Sequence, residues 1–357
     1  MNKRYTATLF AILAAALYAI NVPLSKALLQ HVAPTMMAAF LYLGAGGGLL
    51  LYSLLCRAAG RQAIKEPLTR KELPYTIAMV LLDVAAPILL MLGIARTTSA
   101  SVSLLNNFEI VATSLIALLI FKEVISPRLW VAIGLVTLAS MLLGFEGFEG
   151  FRFNTGSILV LCACVCWGFE NNCTKKLSSK SSIEIVTIKG CFSGLGSLLI
   201  ALCLGEPFPA LKWMGAVLLL GFVAYGLSIN FYILAQKELG AAKTSAYYSI
   251  APFLGVAFSM LVLRERPGAQ FYLALGVMAV STFIMMKDTI ALQHMHQHAH
   301  VHTHAHRHGD IVHSHEHQHV HTHTHVHDGD AQLHQHTHAQ LPDHEHPHPS
   351  GTVPDPL

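Results

Sequence analysis

Ten separate stretches of this chain are apolar enough and long enough to cross a bilayer as helices, and they fix the class of fold before any single residue is considered. A spanning helix needs roughly 20 apolar residues to cover about 30 Å of hydrocarbon. Residues 6–29, 34–55, 74–94, 99–121, 128–144, 156–174, 183–203, 211–234, 241–263 and 270–286 meet or approach that length. Hydrophobic residues make up 53% of the 357 and charged residues 12%, about half the charged share of an ordinary soluble domain. Most of the charge falls between the runs. The expectation is an all-α polytopic membrane protein with ten transmembrane helices.

The apolar part is also written twice. The run from Ser99 ends Leu119-Ile120-Phe121-Lys122-Glu123, and the run from Ala241 ends Leu261-Val262-Leu263-Arg264-Glu265. Each is followed by a short polar turn and an apolar segment holding one matching glycine, Gly134 or Gly276. The openings correspond as well: Tyr18-Ala19-Ile20 through Ser25-Lys26 aligns with Trp167-Gly168-Phe169 through Thr174-Lys175. Two related halves of five spans must face opposite ways, an arrangement typical of small-solute transporters. The expected organisation is two inverted five-helix repeats, 1–146 and 147–290, and a tail, 291–357.

Lysine and arginine set the orientation. With the N-terminus inside, sixteen Lys and Arg fall on the inner side and six on the outer, with Lys189 left within a span. Both termini are therefore expected in the cytoplasm, and Lys3 and Arg4 flank a retained first span rather than a signal peptide. The seven cysteines lie mostly inside spans with no paired spacing, so they read as reduced packers.

Composition changes after Lys287. Twenty-two of the 23 histidines lie between His294 and His348. His294, His296, His298, His300, His302, His304, His306 and His308 form one alternating run; His313, His315, His317, His319, His321, His323, His325 and His327 form a second. No apolar periodicity supports packing, so a disordered tail is expected when unliganded. Alternating imidazoles with interspersed acids suit Zn, Ni, Co or Cu. The plainer alternative is a hydrophilic extension without a role.

Polar groups inside spans are costly and therefore informative. Ser99, Ser103, Asn106, Glu109 and Thr113 follow three- and four-residue steps and form one stripe, beside Asn107. That stripe either lines a central cavity or bonds neighbouring helices together. Asp83 sits mid-span before Pro87; it could carry protons, or bond a carbonyl that Pro87 frees. Cys162, Cys166, Glu170 and Cys173 share a helical sector, where the cysteines read first as packing and Glu170, with Asn171 and Asn172, as the functional candidate. Glu170 aligns with Asn21 of the first half. Tyr247, Tyr248 and Pro252 match the Asn106–Ile110 region. Lys189 either pairs a buried carboxylate or snorkels.

These residues resemble the drug/metabolite transporter superfamily, specifically its ten-span EamA-type exporters. The resemblance rests on Thr98-Ser99-Ala100-Ser101, Leu104-Leu105-Asn106, Glu109 and Phe121-Lys122-Glu123, with Ala241, Pro252, Leu263-Arg264-Glu265 and Gly276, and it covers 6–287. It implies a bacterial inner-membrane protein exporting amino acids, other metabolites or toxic compounds on an ion gradient, through a cavity between the halves. Ile110 stands where many relatives carry proline, which argues against a broken helix at that point. No nucleotide-binding loop or catalytic constellation occurs, so the expectation is a secondary transporter and not an enzyme. It would engage the lipid bilayer, a small-molecule or ion substrate and protons, and no nucleic acid. No cofactor is required, and the rival reading is divalent-metal efflux with the tail as collector.

Overall fold

The computed structural model describes residues 3–59, 67–122, 125–145, 154–177, 180–239, 241–308 and 311–326. Among the described residues, ten helical spans are long and apolar enough to cross a membrane. The first is split into α1 (Lys3–Ala19) and α2 (Asn21–Leu28). α3 (Pro34–Ala58) and α4 (Leu73–Arg96) are the second and third. The fourth breaks into α5 (Ser99–Leu105) and α6 (Phe108–Phe121), and α7 (Pro127–Gly144) closes the first half. α8 (Thr155–Lys176) and α9 (Ser182–Cys203) open the second. The eighth span runs through α10 (Leu211–Gly221), a π-helical segment (Phe222–Leu227) and α11 (Ser228–Leu239). The ninth is α12 (Ala241–Tyr248) and α13 (Ala251–Val262), and α14 (Ala269–Leu292) is the last.

Local chemistry sets several starts. Proline occupies the first turn of α3 and α7, where its missing N–H costs nothing. Thr98, Ser126 and Asn154 cap α5, α7 and α8 by accepting from Ser101, Leu129 and Ser157 amides. Pro87 lies inside α4, which continues through it.

Packing follows the duplication. α3 packs on α9, α7 on α14 and α5 on α13; α4 packs on α8 while α1 packs on α11. Exchanging the first five spans with the second five maps the α3–α9 and α7–α14 pairs onto themselves and the last two onto each other. That is pseudo-two-fold symmetry, and five spans per half invert one half relative to the other. At the self-related pair α3 and α9, the backbones meet at glycine. A Cβ on Gly46 would lie 2.4 Å from the Cys191 nitrogen, and one on Gly190 2.5 Å from the Gly46 Cα. Such close approach of small residues drives helix association in lipid.

The buried centre is apolar: Met36, Met37, Leu41, Leu90, Met91, Ile94 and Val160 pack within one cluster. Large apolar side chains also cover the outside, among them Leu51, Leu81, Leu119, Leu199 and Leu261. On a water-facing protein this would be an aggregating surface; here it is the lipid face.

The fourth span is helical through Ile110, as expected there, but it is not one unbroken helix. It breaks at Asn106–Asn107, one turn before Ile110. Proline is only one way to break a helix; two consecutive asparagines, whose side chains compete with the backbone, are another. Beyond α14 the backbone pairs Gln293–His308 with Ile311–Val326 as an antiparallel hairpin, His294 opposite His325. Strict alternation has the two-residue period of a strand. This pairing is separate from the membrane body, whose fold is all-α.

Candidate functional site

Backbone breaks in two symmetry-related spans open the middle of the molecule. Asn107 N donates to Leu104 O at 3.0 Å, Glu109 N to Asn106 O at 3.1 Å and Ile110 N to Asn107 O at 3.1 Å. These three-residue bonds replace the four-residue ladder and turn the chain at Asn106. In the other half α12 stops at Tyr248, and Phe253 N donates to Ile250 O at 3.1 Å. α1 gives way to α2 at Ile20, and the π-helical segment of the eighth span carries Tyr225.

Between these breaks lies a cavity of about 440 Å³. Asn106, Asn107, Glu109, Glu170, Asn171 and Tyr248 line it, as do Tyr18, Tyr42, Trp167, Lys189 and Tyr225. Val186, Ile229 and Ser245 extend the lining toward the end of the molecule where α8 finishes and α9 starts.

Toward the opposite end the spans close on each other. Ser99 Oγ and Ser259 Oγ are 2.6 Å apart, both fully buried. Glu265 accepts from the Ser99 and Ala100 amides, each at 2.8 Å, and so holds the start of α5. Glu206 accepts from the Thr35 and Met36 amides at 3.3 and 2.8 Å at the start of α3. In both cases an acid of the second half satisfies free amides at a helix start of the first. Lys26 Nζ donates to Ile94 O at 2.6 Å and Thr97 O at 2.8 Å around the end of α4.

An ion-pair cluster stands at one wall. Lys189 Nζ lies 3.0 Å from Asp83 Oδ2 and 3.0 Å from Glu170 Oε1. Tyr42 Oη and Trp167 Nε1 donate to Asp83 Oδ1 at 3.1 and 3.2 Å, and Thr174 Oγ1 donates to Glu170. Lys189 is therefore a buried partner and does not snorkel. Asp83 is held by Lys189, Tyr42 and Trp167 rather than by a carbonyl that Pro87 frees, and it stands behind the cavity wall.

Glu109 is placed differently. Asn171 Nδ2 donates to its Oε1 at 2.7 Å, and no ion pair reaches it among the described residues. Beside it, Asn106 Oδ1 and Asn107 Nδ2 are buried without a hydrogen-bond partner. The polar stripe of the fourth span thus divides. Ser99 and Ser103 spend their hydroxyls within the bundle, Ser103 Oγ donating to Ser99 O at 2.9 Å, while Asn106 and Glu109 reach the cavity.

Two of the residues singled out in the sequence stand elsewhere. Asn21 is buried off the cavity, its Nδ2 donating to Tyr225 Oη at 2.9 Å. Tyr247 is 40% exposed and does not line the cavity. The aromatic wall went unread: Tyr18 packs edge-on to Tyr225 at 5.9 Å and lies 5.8 Å from Tyr248, and Tyr42 lies 5.7 Å from Tyr225. Tyr18 and Trp167 do open the two halves in the repeat alignment, the one sequence signal available for them. Cys162 is exposed, and no group of three or more His, Cys, Asp or Glu is arranged for a metal among the described residues. The side chains of the tail histidines, His294 to His327, lie outside the described residues.

Comparison with known proteins agrees with this architecture. The model of the EamA-like transporter family matches twice, over residues 6–145 and 154–287. An uncharacterized transporter from Methanothermobacter thermautotrophicus is 27% identical over 295 residues, covering 78% of this chain and 84% of its own. A crystal structure of a 17% identical protein superposes with a TM-score of 0.58, over 80% of this chain and 97% of its own; at that identity it speaks for the fold alone. With ten spans, a central cavity that carries polar side chains in its lining and a family match across both halves, the chain is a member of the EamA-like transporter family.

Proposed function

We propose that the protein is a secondary transporter of the bacterial inner membrane, exporting a small organic solute by alternating access in exchange for protons. The carrying observation is Glu109: a carboxyl group at a helix break, facing a mid-membrane cavity, with one amide donor and no cation paired to it. Asp83 and Glu170 are already neutralised in part by Lys189. Glu109 is thus the group best suited to take and release a proton as the cavity changes sides. Asn106, Asn107, Asn171 and Tyr248 supply contacts to the solute.

With both termini in the cytoplasm, as the lysine and arginine bias argues, the lining extends toward the inner side. The Glu206 and Glu265 ties and the Ser99–Ser259 contact then close the outer side. Outward opening would break those ties and form equivalent contacts at the inner side, a rocking of one half on the other. Metal efflux draws support only from the tail, and the described core offers no fixed ligand set to carry a metal.

The test is pH-gradient-driven uptake of candidate metabolites into inverted vesicles. Glu109→Gln is expected to abolish gradient-driven uptake while leaving folded protein at wild-type abundance. Wild-type transport by that variant would overturn the assignment.

A further inference from the structure

The charges and rings around the cavity restrict what it can hold. Two carboxylates and one ammonium in the Asp83–Lys189–Glu170 cluster leave one negative charge, and an ionised Glu109 adds another. Lys189, the one cation lining the cavity among the described residues, is engaged at 3.0 Å by both partners. A solute carboxylate or phosphate would find no free cation. Helix starts could substitute, since their amides attract anions, but both starts at the cavity are blunted. The first turn of α6 carries Glu109, and the first turn of α13 carries Pro252, which has no N–H to offer.

A cation meets the reverse situation. Tyr18, Tyr225 and Tyr248 line the cavity together with Glu109, and their rings pack on one another. Tyrosine faces attract ammonium groups, most strongly away from water. We infer that the solute is an organic ammonium ion with an apolar body, its cationic nitrogen held between Glu109 and the Tyr18–Tyr225–Tyr248 rings. This rests on the transport reading above and names its solute class. The same carboxylate would then hold either the solute's charge or a proton, one excluding the other.

The test is equilibrium binding to the full-length protein purified in detergent, near neutral pH and without any gradient. Four probes share one aryl-ethyl body: 2-phenylethylamine, 2-phenylethanol, 3-phenylpropionate and phenylalanine. The amine is expected to bind at least ~10-fold more tightly than the other three. Glu109→Gln should erase that preference, Glu109→Asp should keep it, and Tyr248→Leu should weaken the amine by about 2- to 30-fold. Equal binding of amine and alcohol, or tightest binding of the carboxylate or of phenylalanine, would overturn the inference, and wild-type protein alone suffices for that comparison. Amine selectivity without any proton-driven flux would uphold this inference while sinking proton coupling, so the two failures are separable.

Discussion

Replacing Lys189 by methionine should strongly destabilise the membrane body, and the structure says why. The ammonium sits 3.0 Å from carboxylates of α4 and α8, of which Asp83 is 0% and Glu170 1% exposed. Methionine fills similar volume, so the loss is almost purely of charge. Removing one partner of a buried ionic cluster leaves an uncompensated charge, at about 3–5 kcal/mol. Tyr42, Trp167 and Thr174 remain as donors, and protonation of a stranded carboxyl gives partial relief, so the lower half of that range is expected. Against a total of roughly 5–15 kcal/mol for a folded domain, that shift is readily measured by chemical unfolding in detergent. The decisive comparison is the triple variant Asp83→Asn, Glu170→Gln, Lys189→Met. Neutralising a buried ion cluster as a whole is often harmless or stabilising by about 1–4 kcal/mol, so the triple variant should recover most of the single variant's loss. A Lys189→Met protein within about 1 kcal/mol of wild type, or a triple variant no better than the single, would refute the view that these charges hold each other.

Three further outcomes follow from other parts of the molecule. Gly46→Ala should destabilise by about 1–3 kcal/mol in thermal unfolding, because its Cβ would meet backbone at 2.4 Å; Gly47→Ala, with open space around it, is the control and should be neutral. Glu265→Ala removes two charge-assisted bonds from the start of α5, each worth about 1.5–3 kcal/mol. It should speed outside labelling of a cysteine placed at Ser103 by roughly tenfold or more, and an unchanged rate would deny Glu265 a gating role. If metal binding by the tail regulates transport, truncation after Leu292, the end of α14, should leave a folded, transport-competent core that does not respond to micromolar Zn²⁺ or Ni²⁺; loss of transport by a well-folded truncation would make the tail part of the route.

The spans, their duplication and part of the polar lining were legible because they are local or periodic signals. A stretch of apolar residues, a repeated Lys-Glu or Arg-Glu end, and a polar stripe at three- and four-residue steps can each be seen along the chain. The backbone repeats them: Lys122 and Arg264, the residues preceding those matched glutamates, both have φ of 54°. Pairing across the molecule was not legible. Lys189 could be noticed as an ion inside a span, yet nothing in its neighbourhood says that Asp83 and Glu170 converge on it from other helices. The aromatic wall was hidden for a related reason. Tyr18, Tyr42 and Tyr225 look like ordinary apolar-span residues, and only the crossing of three spans brings them to one cavity. Tyr247 and Tyr248 show the converse error: adjacent helix positions point about 100° apart, and here only Tyr248 of the two lines the cavity.

The symmetry of the scaffold and the asymmetry of its charges answer different needs. Alternating access requires two states of similar energy, and a two-fold related pair of halves provides them by exchanging the α4–α8 type of packing with the α1–α11 type. Coupling requires something else, because a symmetric charge distribution would respond alike in both states. Here the four ionisable groups of the core have no counterparts. Glu170 aligns with Asn21; α3, the partner of α9, contains no lysine; α12 and α13 contain no acid to match Glu109; and the eighth span carries no acid in its middle to match Asp83. Each acid therefore favours one of the two packings over the other according to whether it is ionised. On the proposed coupling, protonation or solute binding at Glu109 would then decide which side the cavity faces.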